Sequence, residues 1–162
     1  MHEISTEIEI HASAARVWSV LTNFEAHPDW NPFVRKISGT ARVGEKLKVF
    51  IQPPGGNGMT FRPTVLVSKP EQELRWLGRF LIPGLFDGEH YFRIVSLGPE
   101  RVRFIHGEQF SGILVRLAKS SLDTATRAGF EAMNQALKAR AESSEANPVI
   151  REDAFGGAQF QR

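Results

Sequence analysis

Two histidines and a glutamate stand where an ordinary core would place hydrocarbon. In residues 101–111 the alternation puts Val102, Phe104, His106, Glu108 and Phe110 on one side; in residues 89–96 it groups His90, Phe92 and Ile94. A period of two marks strands with one buried face. Ionisable groups are costly inside a solid core. On the wall of an apolar cavity, imidazole and carboxylate can instead orient a ligand's polar head or serve as acid and base. His106 and Glu108, two positions apart, project the same way. A hairpin turn at Gly98-Pro99 pairs residues whose numbers sum to about 197, which sets His90 near Gly107 and within reach of both. His90, His106 and Glu108 are therefore the acid–base candidates, and the pattern alone fixes a catalytic role for none of them. Two histidines and a carboxylate also match a common metal-ligand set. Their spacing is that of no known metal motif, and neither a metal nor another cofactor is expected.

Around this polar set the chain is rich in rings without polar handles: twelve Phe and three Trp against one Tyr. That bias points to a large apolar interior. Trp30, Phe61, Trp76, Phe80, Phe92, Phe104, Phe110, Phe130 and Met133 are the candidates for its lining, alongside His90, His106 and Glu108.

The elements that must hold these residues follow from periodicity. Residues 3–11 alternate cleanly as a strand, and Ser13 offers an N-cap to a short helix with Val17, Val20 and Leu21 inward. Pro28 and Pro32 bracket a second short helix or turn anchored by Trp30. Strands are predicted over 33–40, 45–52, 59–68, 73–81, 89–96 and 101–111, separated by turn-forming residues such as Pro53-Pro54-Gly55-Gly56-Asn57-Gly58 and Pro83-Gly84. No proline interrupts the last three, which favours central places in a sheet. From about residue 114 or 120 to 142 the period becomes helical, with Leu122, Thr126, Phe130, Met133 and Leu137 on one stripe. An antiparallel meander needs an apolar partner for its concave face, and this helix supplies it. The loop 53–58 and the Pro83-Gly84-Leu85-Phe86 turn are candidate gates of a cavity mouth.

The totals narrow the class. A chain of 162 residues suits one domain, here 1–143, followed by a polar tail, 144–162. The absence of cysteine removes disulfides and thiol chemistry and fits a reducing, cytoplasmic setting. No signal peptide or membrane span is read, and a net charge of +2 gives no ground for nucleic-acid binding. Arg75, Arg79, Arg93, Arg101 and Arg103 fall on the outer sheet face with Leu77, Tyr91, Val95 and Ile105, apolar enough to suggest a cover. Phe155 and Phe160 give the tail a means of docking on its own domain or a second protomer, and a homodimer is expected.

The order and motifs together resemble the SRPBCC superfamily, also called START-like or polyketide cyclase/dehydrase-like. The resemblance rests on Ile8-Glu9-Ile10-His11-Ala12-Ser13-Ala14-Ala15-Arg16-Val17-Trp18, then Pro28-Asp29-Trp30-Asn31-Pro32, then Leu74-Arg75-Trp76-Leu77-Gly78-Arg79 with Phe86-Asp87-Gly88-Glu89-His90-Tyr91-Phe92, and Glu108-Gln109-Phe110-Ser111-Gly112. It covers about residues 3–142. It implies an α+β helix-grip fold: a curved seven-stranded antiparallel sheet around a long C-terminal helix, with two short helices after the first strand. One such fold hosts lipid carriers, cyclases, hydroxylase subunits and chaperone cofactors. The expected function is binding of a small hydrophobic or amphipathic ligand, such as a lipid or polycyclic aromatic, between sheet and helix. The alternatives are a cyclase or dehydratase using the His/Glu trio, and a protein-interaction module acting through the outer sheet face.

Overall fold

The structure, a computed structural model, describes residues 2–80, 86–113 and 115–143, without the side chains of residues 80, 86 and 116–122. The chain opens with β1 (His2–Ile10), which turns Ile4 and Ile10 into the core. Ser13 then accepts a hydrogen bond from the backbone N–H of Arg16 at 3.2 Å and starts α1 (Ala14–Thr22), which buries Val17, Val20 and Leu21. A 3-10 turn (Phe24–Ala26) leads into α2 (His27–Trp30). Then come β2 (Val34–Ser38), β3 (Lys48–Ile51), β4 (Met59–Phe61), β5 (Thr64–Lys69), β6 (Glu73–Phe80), β7 (Phe86–Gly98) and β8 (Arg101–Ser111). The long helix α3 (Val115–Glu142) closes the domain.

The α+β helix-grip architecture is present, with its antiparallel strands in two sheets. One runs β1-β8-β7-β6-β5 and the other β2-β3-β4. Strands β6, β7 and β8 are interior, where the absence of proline had placed them. One strand was predicted over 59–68, but it is broken at Arg62-Pro63, so eight strands form in place of seven. Proline has no N–H to give a ladder. The chain leaves the smaller sheet there, and β5 becomes the edge strand of the sheet that holds β1. The two sheets meet where residues 44–47 lie against 63–65, through Leu47 N–H to the Pro63 carbonyl, Val65 N–H to Glu45 and Gly44 N–H to Val65, each 2.9 Å.

Helix α3 lies against β1 and β8. Phe130, Met133 and Leu137 are wholly buried along its stripe, each contributing about 1.5–3 kcal/mol by leaving water. Gly129 has room only for hydrogen, since a Cβ there would stand 2.3 Å from the ring of Phe33.

The outer face of the larger sheet covers itself. Arg75, Tyr91, Gly107 and Ser5 occupy one cross-strand row. Tyr91 lies over Gly107, is 2% exposed, and donates its hydroxyl to Glu3 at 2.6 Å. The guanidinium groups of Arg75 and Arg93 sit 5.1 and 4.8 Å from its ring centre, and Arg75 is bound in turn by Glu73 and Glu89. On this face the arginines thus cover Tyr91, while Val95 stays exposed. The tail 144–162, with Phe155 and Phe160, and residues 83–85 of the second candidate gate lie outside the described residues.

Candidate functional site

Register brings the polar residues together. The two-residue turn falls at Pro99-Glu100, with Gly98 paired to Arg101, and a bulge between Ser96 and Gly98 takes back one position. The pair sum becomes 198 in place of the expected 197 (90 + 108), and His90 faces Glu108 directly. Trp76 lies across from His90 on its other side. The next row holds Leu74, Phe92, His106 and Thr6, which makes His106 a diagonal neighbour of His90.

The side chains form one connected line. His90 Nδ1 is 3.4 Å from Glu108 Oε2. His90 Nε2 meets His106 Nε2 at 2.8 Å, and His106 Nδ1 meets Asn134 Oδ1 at 3.0 Å. Asn134 Nδ2 donates to Thr6 Oγ1 at 3.0 Å, and that hydroxyl donates to the His106 carbonyl at 3.3 Å. Rings clamp the line from both sides. Trp76 stacks on His90 with centroids 5.2 Å apart, and Phe130 stacks on His106 at 3.8 Å. Burial holds His106 well below the ordinary histidine range, with the neighbouring His90 adding to the effect. Because the two Nε2 atoms face one another, the histidines have no common point at which to ligate. Among the described residues no group of three or more His, Asp or Glu has metal-holding geometry.

Beside this line lies a cavity of about 390 Å³, within the range of small-molecule sites. Of the residues expected to line it, Phe61, Trp76, His90, Glu108 and Phe110 border it. His106, Phe92 and Phe104 on the strands and Phe130 and Met133 on α3 are packed in the core and do not border it, because periodicity fixes the face a residue occupies but not its depth. Trp30 sits away from the cavity, tilted against His27 at 4.9 Å. That corner is structural: Asn31 Oδ1 takes the N–H groups of Phe33 and Val34, and its amide donates to His27 Nδ1 at 3.3 Å. The side chain of Phe80 lies outside the described residues.

Periodicity missed much of the wall. Val49, Ile51 and Met59 come from the smaller sheet, Phe33 from the bend just before it, Pro53 and Asn57 from the loop between β3 and β4, and Thr126 from α3. The first candidate gate is therefore part of the rim. Gly78 and Gly88 pair across β6 and β7, and together leave the sheet without side chains at one point of the chamber. Arg79, assigned to the outer face by parity, also borders the cavity. The signal available in the sequence was the Gly78 and Gly88 pair, since glycine inside a strand marks a close approach or a vacant volume.

A two-layer grip on a long helix, hollow at one end and carrying a line of two buried imidazoles that ends in a half-buried carboxylate, defines a START-like helix-grip protein. The chain belongs to the family described as polyketide cyclase/dehydrase and lipid transport, whose profile matches residues 1–142. Solved structures share the fold. A START superfamily protein from Mycobacterium smegmatis is 23% identical, with TM-score 0.63 over 88% of this chain and 98% of that one. The Zhui aromatase/cyclase from Streptomyces sp. R1128 is 18% identical, with TM-score 0.67 over 87% and 93%. A norcoclaurine synthase from Thalictrum flavum, in complex with a transition-state analogue, is 18% identical with TM-score 0.66 over 86% and 93%. No curated protein sequence matches significantly. Among the described residues no helix is long and apolar enough to cross a membrane.

Proposed function

We propose that the chain binds a small hydrophobic or amphipathic ligand, a lipid or a polycyclic aromatic of polyketide type, inside the cavity beside Trp76 and Phe110. The observation that carries this reading is the pairing of a chamber of about 390 Å³, walled mainly by rings and aliphatic groups, with a polar His90–Glu108 pair on its wall. Affinity comes from apolar burial, roughly 25 cal/mol per Å² removed from water. Orientation comes from the His90–Glu108 pair, since polar groups in such pockets select which end of a ligand enters first. The lack of cysteine suits a cytosolic place of work. The outer sheet face is committed to its own ion pairs and to Tyr91, which counts against an interaction module there.

A second reading is favoured by the same pair. A carboxylate and an imidazole bordering a largely apolar chamber are equipped for proton transfer, as a cyclase or dehydratase acting on a polyketide-like substrate requires.

Native mass spectrometry of the purified protein tests the binding reading. A small-molecule adduct is expected, lost on denaturation. A bare mass, together with no uptake of the dye 1-anilinonaphthalene-8-sulfonate, would count against it. Glu108→Gln separates the readings: a carrier keeps its adduct, while an enzyme keeps the adduct and loses turnover.

A further inference from the structure

We propose that Asn134 and Thr6, which do not border the cavity, are positioning residues that set which nitrogen of His90 carries its proton, leaving His90 Nδ1 as the acceptor beside Glu108. The argument counts donors from the far end of the line. The Thr6 hydroxyl has one proton and gives it to the His106 carbonyl, so Oγ1 accepts from Asn134 Nδ2. The other end of that amide, Oδ1, only accepts, so His106 Nδ1 must carry hydrogen. His106 is fully buried and kept neutral, so its Nε2 holds a lone pair. His90 Nε2, 2.8 Å away, must then be the donor.

That leaves His90 Nδ1 facing Glu108 Oε2 at 3.4 Å. With Nε2 the donor, the nitrogen of the neutral ring left as acceptor is Nδ1, on the cavity side beside Glu108. The groups packed on His90 are Glu108 and His106 from β8, Trp76 from β6, Phe92 from its own strand and Phe130 from α3. Arg79 is the other charged residue bordering the cavity among the described residues. His90 Nδ1 is therefore placed to accept a hydrogen bond from a ligand hydroxyl at the Glu108 side of the cavity. That use rests on the ligand-binding reading; the proton arrangement does not.

The test is long-range ¹H–¹⁵N NMR of the histidine rings in ligand-free protein at pH 7.5. Wild type is expected to show hydrogen on Nδ1 of His106 and on Nε2 of His90. Asn134→Leu removes the acceptor, so both rings should exchange their pyrrole-like and pyridine-like nitrogen signals, although Asn134 touches only one of them. Asn134→Asp keeps an acceptor and should keep the wild-type pattern. Wild-type His106 protonated at Nε2, or two rings unmoved in Asn134→Leu, would overturn the proposal. If Asn134→Leu does not fold, the wild-type pattern alone decides. A missing adduct in mass spectrometry would leave these signals as they are, so the two readings fail separately.

Discussion

The Glu108 carboxylate lies across Gly88, and a Cβ built on that glycine would stand 2.3 Å from Oε1. The obstructed atom is the end of a flexible side chain, so Gly88→Ala should expel the carboxylate and leave the strand intact. Its stability cost should stay at or below about 1–3 kcal/mol, the usual range for overpacking. Its ligand affinity should fall to that of Glu108→Gln, measured by dye displacement. Native affinity in Gly88→Ala would show that Glu108 does not hold the ligand.

Gly78 gives the opposite result. A Cβ there meets only the Gly88 carbonyl at 3.8 Å and Pro63 Cβ at 4.0 Å, ordinary contact distances. Gly78→Val should fill part of the chamber and block uptake of 1-anilinonaphthalene-8-sulfonate. Thermal stability should hold or rise by about 0.5–1 kcal/mol, because glycine in a strand gives up more chain entropy on folding. Retained uptake with full stability would place the ligand elsewhere.

Acid should weaken the fold through His106 and His27. Burial lowers the folded-state pKa of both below 6.5. The unfolded chain then binds more protons in the window beneath 6.5, so stability is complete above that pH and falls as pH drops towards the folded values. The slope is at most about 1.4 kcal/mol per pH unit for each group. Urea melts at pH 7.5 and 5.5 should show a loss of about 1–3 kcal/mol. A flat profile, or one rising towards acid, contradicts the neutral burial of these rings.

On the outer face, Gly107→Ala should cost about 1–3 kcal/mol, because its new methyl would lie 2.4 Å from the Tyr91 ring. Tyr91→Phe removes the hydroxyl's hydrogen bonding, chiefly the bond to Glu3, worth about 0.5–1.5 kcal/mol. Chemical denaturation of both variants checks the order, and Tyr91→Phe as the worse of the two would refute it.

Residues 1–143 are proposed as the folding unit. A chain ending at Ser143 should melt within about 1 kcal/mol of the full one. Sedimentation of both forms tests the expected homodimer, and a dimer that survives the truncation would remove the tail from its interface.

Much of the site was legible because alternation in two strands put His90, His106 and Glu108 on one face, and a hairpin turn set their approximate register. Three things were not. The bulge after Ser96 depends on local backbone geometry, so the pairing was off by one residue. The depth of His106 depends on Phe130 and Asn134, which arrive from a helix about 28 residues away in sequence. The walls given by Phe33, Val49, Ile51 and Met59 depend on the chain bending at Pro63 and laying one sheet beside another, a non-local event that no window of residues records.

That bend at Pro63 has an evolutionary consequence. One ladder bears the imidazoles and the carboxylate, while a different ladder contributes many of the greasy contacts. Replacements on the latter can remould the guest chamber, widening or narrowing what it accepts, without disturbing the reactive pair. Selectivity and chemistry are thus free to diverge independently within one short polypeptide.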